Sequence, residues 1–434
     1  MTTILEHESG FWAGLNEDAF SGAAGGEEGV LRERRTQAFQ AYRSLPLPTL
    51  RDEEWRRTDP GLFPFEAVSR LANLGEIPFP AASDLDDRFD VVIAVTDEGY
   101  AIRDNRDGKV CGLTVLPLRE ALRQYGDDLA ACFDGPAVLE RDRKFTQLNS
   151  AFWNVGFYIH VAKNTAVERG VLIRYEITGR NALVIPRLIV HAEAGSRARV
   201  TEYYQSPDGQ AMMCIGAREM YVDQAAQLSL YAVQEWGNGA YQIAEDWARV
   251  GRDGQIDWVT LSLGSKISKM MMGCEVAEPN ANAFMSGLFF ANEKQHIDQR
   301  TLQKHAAPHT YSNLLYKGAV KDEGRSVYQG VIAAGKGAIK VDAYQMNKNL
   351  VLNPGARADS LPGLMIDADD LKCSHGSTMG NLSPLELFYL KSRGLSDVEA
   401  RRMLVLAFFE EIIAKLDDEF LQERVRADVN RKIG

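Results

Sequence analysis

NLLYKGAVKDEGRSVYQGVIAAGKGAIKVDAYQMNKNLVLNPGARADSLPGLMIDADDL, residues 313–371, breaks into short runs rich in Val, Ile, Leu and Tyr, each closed by Gly, Asn or Asp. Runs of this kind read as strands, because β-branched and aromatic side chains suit a pleated surface and the punctuating residues suit turns. Their even spacing predicts stacked coils, a parallel β-helix, in preference to a sandwich or barrel. The same texture extends upstream through VLIRYEI, LVIPRLIVHAEA, ARVTEYYQ, QLSLYAVQEW and IDWVTLSLG, so the region from about 146 to 366 is expected to be β throughout.

The flanks read differently. Leu31, Phe39 and Tyr42 fall at helical spacing among charges, the Gly-rich SGAAGGEEG at 21–29 interrupts that pattern, and LPLPTLRDEEW ends it with two prolines. Residues 88–135 pair a strand-like FDVVIAV with a helix-like LREALRQYGDDLAACF, which predicts a small α/β piece. After Gly380, Ser383-Pro384-Leu385-Glu386 and Ser396-Asp397-Val398-Glu399 each read as a helix start, with Gly394 closing the first helix. The second helix carries apolar residues from Met403 to Leu421 over more than half its circumference, wider than one core-facing stripe needs. The expected organisation is therefore an N-terminal helical and α/β region (1–145), a mainly β core (146–380) and a C-terminal helical region (381–434).

Composition excludes several classes. The 434 residues are 45 % hydrophobic and 25 % charged, an ordinary globular balance, and the net charge of −11 opposes loose binding to nucleic acid or anionic membrane. Cysteines 111, 132, 214, 274 and 373 are scattered, without a CxxC spacing, which fits a reducing cytoplasm and argues against a disulfide framework or a self-contained four-thiolate site. The first residues lack a basic segment followed by an apolar one, and no run is long enough to span a bilayer, so neither export nor insertion is expected.

Among candidate chemistries, Gly330 to Gly337 imitates a phosphate-binding loop, but Gly337 replaces the hydroxyl that would hold magnesium and a strand-like run follows. His296, His305 and His309, with Asp298, form the densest imidazole group and offer ligands to iron or zinc; Pro308 argues against one helical face for them. Asp367 and Asp369, in DADD at 367–370, would serve acid–base chemistry in a stand-alone β-solenoid enzyme acting on a polysaccharide, or simply solvate a turn. In LKCSHGSTMG, 371–380, Cys373 and His375 lie at i and i+2, so in an extended segment both point to one side and offer a thiolate and an imidazole to one iron. Two ligands do not close a site; the rest must come from elsewhere, another subunit included. A buried thiol beside a turn histidine is the structural alternative, and a metal-free homodimeric interaction protein the functional one.

DDLKCSHGSTMG followed by ELFYLKSRGL closely resembles the C-terminal signature of the SufB/SufD family of iron–sulfur cluster assembly proteins, in its SufD branch. LPLPTLRDEEWRRTD resembles the family's N-terminal segment, and LNSAFWNVGFYIHV, HTYSNLLYKGAV, GRSVYQGVI and VDAYQMNKNLVL resemble its core blocks, in order and over nearly the whole chain. The SufB branch differs in having HEAT-like residues in place of SHGST and a cysteine in the strand where this chain has Met346; Ser377 and Met379 stand where the family often has Ala and Val.

The resemblance implies a right hand for the parallel β-helix and a non-catalytic scaffold subunit. It would pair with SufB through the β-helix, with a homodimer left open for the isolated chain, and bind the ATPase SufC through helices carrying Leu385, Phe388, Tyr389, Arg393, Leu404, Phe408 and Ile412. It further implies that His375, with Cys373 beside it, stands at the SufB–SufD interface where iron or a nascent cluster is held. His305, His296 and Asp298 are secondary metal candidates. No cofactor would be held tightly by the isolated chain; iron or a cluster would be carried transiently, and the complex leaves room for FADH2.

Overall fold

Along many of the core strands alternate residues are apolar, and the chain stacks them in register. Val200 pairs with Leu230, Leu230 with Trp258, Trp258 with Met285 and Met285 with Leu314, every pair in parallel strands. All five are buried. A column of this kind arises when successive strands on one side of a coil lie directly above one another. The computed structural model describes residues 14–65, 70–71, 74–106, 112–126, 129 and 143–434. It contains two sheets of eleven strands each, and from Val155 onward the chain passes alternately from one sheet to the other, with Ala182–Val184 and Pro186–Ala192 together in one of them, building eight coils of a parallel β-solenoid. The last coil consists of Arg357–Ile366 and Lys372–Gly380.

Most corners are not made by glycine. Ala225, Asp253, Asn280, Glu293 and Asp322 all adopt left-handed backbone conformations with φ between 51° and 62°, a costly choice for a residue with a Cβ that the stacked coils on either side enforce.

The interior is largely apolar, but in the middle coils it holds an ion triad. Arg218 meets Glu202 at 3.2 Å and Asp246 at 2.9 Å, and the Tyr204 hydroxyl donates to Glu202 at 2.7 Å. All four residues are buried.

Each outer face is covered by helices. Over the first sheet, the one containing Pro186–Ala192, lie α1 (Glu17–Ala23), α2 (Gly29–Ser44), α3 (Leu118–Gln124) and α4 (Arg143–Phe152). Arg35 on α2 is buried and donates to the Ala151 carbonyl at the end of α4 and to that of Trp153 just beyond it, at 3.0 and 2.9 Å. The DEEW segment straps the same face. Trp55 is fully buried, Lys269 donates to the Glu54 carbonyl (2.7 Å) and to Asp298 (2.8 Å), and the Thr58 hydroxyl donates to Asp298 (2.5 Å). Over the second sheet lie α6 (Asp397–Ile413) and α7 (Glu419–Ile433), which follow α5 (Pro384–Ser392).

Three expectations need correcting. The FDVVIAV run is not part of a separate α/β piece: Val91–Thr96 joins the second sheet beside Val171–Glu176 and pairs with Gly99–Asp104 in a hairpin, while Leu113–Pro117 lies antiparallel on Val155–Val161. These strands cover edges that the first coil would otherwise leave open. The helix-like stretch that follows is helical over α3; residues 130–135 lie outside the described residues. Thr146 to Phe152 belongs to α4 rather than a strand, because Phe145, Leu148, Ala151 and Phe152 bury one helical face. The long C-terminal helix is two helices, since Asp418 caps α7 by accepting from the Leu421 amide.

Candidate functional site at the open end of the solenoid

The two ends of the solenoid are built differently. The hairpin and the antiparallel strand cover the first coil, whereas Arg357–Ile366 and Lys372–Gly380 are terminal strands in their sheets, with no described strand beyond them. On Lys372–Gly380 the parallel register fixes which side chains face inward. Ala343, Gln345, Asn347 and Asn349 are the buried row of the preceding strand, and they pair with Cys373, His375, Ser377 and Met379. Cys373 and His375 therefore belong to one inward row, at the mouth of the coil, as the i, i+2 spacing requires.

Their surroundings differ. Cys373 is half-buried with Leu371 against Ile332, Ala338 and Ala343, and burial, then the Asp342 carboxylate, raises its thiol above the usual range. It is a protonated thiol at neutral pH that releases a proton on binding a metal. His375 is exposed on the rim. At Gly376, next to His375, a Cβ would lie 2.6 Å from the Met346 methyl, which would have to shift to make room. Apolar residues line the same end: Met365 is 66 % exposed, Met379 56 % and Leu364 41 %. Unpaired strand edges beside exposed apolar side chains form a surface suited to another chain.

The other imidazoles do not converge there. His296 and Asp298 share one face of their strand, but beneath the DEEW strap, where Thr58 contacts both and Lys269 neutralises Asp298. His305 faces the solenoid interior instead, between the hydroxyls of Thr310 and Ser312 at 2.7 and 2.8 Å. His309 makes a corner with φ 58°. Among the described residues no group of three or more His, Cys, Asp and Glu side chains is placed to hold a metal, and Cys373 and His375 are two candidate donors without a third. Cys214 and Cys274 are free and buried; Cys111 and Cys132 lie outside the described residues. Asp367 and Asp369 fall in the exposed turn between the last two strands, where Asp370 pairs with Lys340 at 2.6 Å. Gly330 lies within Arg325–Ala334 and no helix follows Gly337, so the phosphate-loop imitation has no helix N-terminus.

The C-terminal residues range from exposed to fully buried. No residue of α5 is buried: Leu385 is 76 % exposed, Phe388 70 % and Tyr389 55 %, and the Arg393 guanidinium stacks over the Tyr389 ring at 5.2 Å. Leu404 and Phe408 are half-buried. Ile412 belongs to the core instead, fully buried in the cluster that joins α6 to the second sheet. The sequence reading also passed over Gln345, whose position under His375 becomes visible only through strand register.

Comparison with known proteins bears on this arrangement. Residues 175–408, more than half the chain and including α5 and both ligand candidates, match the family described as SUF system FeS cluster assembly, SufBD core domain. The chain belongs to the SufBD family. An iron–sulfur cluster assembly SufBD family protein of Mycobacterium tuberculosis is 32 % identical over 307 residues, covering 69 % of this chain and 76 % of its own. One from Staphylococcus saprophyticus is 28 % identical, covering 73 % and 68 %. One from Synechocystis is 27 % identical but spans 96 % of this chain and 94 % of its own. As a SufBD protein the chain is a component of iron–sulfur cluster assembly, and no helix among its described residues is long and apolar enough to cross a membrane.

Proposed function

We propose that this chain is the SufD-type, non-catalytic subunit of a cytoplasmic SUF complex. Its open solenoid end pairs with a SufB-type solenoid, and Cys373 and His375 contribute to a shared site that receives iron during cluster assembly. The observation that carries this reading is the asymmetry of the solenoid: one end is covered by the chain's own strands, and the other ends in edges that no described strand covers, with Cys373 and His375 in its last inward row. A thiolate and an imidazole are fitting donors for iron, which is the cargo here, and two donors leave coordination positions for the partner.

The exposed Leu385, Phe388 and Tyr389 of α5 are the contact for the ATPase subunit SufC. Nucleotide hydrolysis then belongs to SufC, and it moves the paired solenoids through the difference in ATP affinity between their arrangements. The test is co-expression with SufB and SufC partners and comparison of the visible iron–sulfur absorbance of the purified wild-type and His375→Ala complexes. Loss of the chromophore from an intact complex supports the assignment, and an unchanged chromophore refutes it.

A further inference from the structure

Directly beneath His375 in the register stands Gln345. Adjacent strands lie about 4.8 Å apart, so Gln345 and His375 are successive members of one inward row. Gln345 is wholly buried, yet neither its Nε2 nor its Oε1 has a hydrogen-bond partner. Other buried glutamines of the interior are held differently: Gln299 donates to the Ser262 hydroxyl and Gln303 to the Ser312 hydroxyl, each at 2.8 Å. Across the lumen the space is kept clear by Gly330, where a Cβ would collide with the Gln345 amide and the Tyr328 hydroxyl. An orphaned buried amide is destabilising, because it has given up water without gaining a partner. An apolar side chain of the same size would avoid that cost.

We propose that Gln345 is a positioning residue for His375. When the outer ring nitrogen of His375 ligates a metal, the inner one must carry its proton, and Gln345 Oε1 is the buried acceptor below it. That hydrogen bond fixes the ring's tautomer and orientation, as acceptors behind metal-bound imidazoles generally do. Tyr328, itself joined to Thr301 at 2.9 Å, and the Gln345 amide fill the side-chain space that Gly330 leaves, and the amide makes no hydrogen bond there that turning its oxygen toward the ring would break. The inference rests on the reading of His375 as a ligand.

The test is a Co(II) titration of the purified complex with its SufB and SufC partners, followed by visible absorbance. It compares wild type with His375→Ala, Gln345→Leu, Gln345→Met and Gln345→Glu, with the melting temperature of each chain recorded. The expected result is that both apolar variants melt at or above the wild-type temperature and bind Co(II) about 10–100-fold more weakly, while Gln345→Glu, which keeps an acceptor, retains the affinity. If His375→Ala abolishes binding but the folded apolar variants bind as wild type does, the role of Gln345 is overturned and the ligand assignment stands. If His375→Ala itself binds as wild type, the ligand assignment falls and the positioning role with it.

Discussion

Burial sets the chemistry of single residues on either side of this molecule's surface. His305 in the solenoid interior and His296 under the N-terminal strap are both pushed down by burial, from 6.5 to about 4. Both are neutral in the folded chain across the range where the unfolded chain takes up protons. Stability is therefore full above pH 6.5 and is lost as the pH falls from there toward 4, by on the order of 3 kcal/mol for each group at the acid end. Urea denaturation at about pH 7 and about pH 5 should show the drop. In His305→Gln the difference between the two conditions is expected to be clearly smaller, and an unchanged difference would mean that His305 does not carry it. The placement of Cys373 and His375 on one side of a strand was legible in their spacing. The separation of His305 from His296 was not, because nine residues of strand put the two on opposite faces and only the register reveals which face is inside.

At the scale of elements, the C-terminal helices show why apolar residues alone do not mark a docking surface. Ile412 and Phe388 are alike in the sequence, yet one is sealed between α6 and the second sheet and the other projects from α5. Ile412→Ala should destabilise the chain by about 2–5 kcal/mol. Phe388→Ala should leave the melting temperature unchanged but weaken SufC binding at least about tenfold, as expected for an aromatic anchor; calorimetric unfolding and a SufC titration separate the two effects. The reverse pattern would move the docking surface to α6. Helix starts were readable because capping is local: Ser396 and Glu399 form the expected reciprocal pair. The break between α6 and α7 was hidden because buried Leu416 continues the apolar pattern through it. The cap strands looked like a separate piece because Val91 to Val95 are all buried, and such a run does not announce which sheet it joins.

At the scale of the whole molecule, the solenoid was legible from strand spacing but its repeat was not, since corners such as Ala225 and Glu293 use residues that no turn signature includes. What neither spacing nor composition revealed is the difference between the two ends, which depends on strands well upstream, the nearest about forty residues away in the chain, folding over the first coil. Repeat architectures need a cap at each end unless another chain provides it. In this account the SufB partner is the second cap, and it brings the ligands that Cys373 and His375 lack. Hydrogen–deuterium exchange of the chain alone and bound to SufB tests this most directly. The account expects strong new protection in 357–366 and 372–380 on complex formation, with the strands of the first coil unchanged. A stable complex in which those two terminal strands exchange as fast as in the free chain would contradict it.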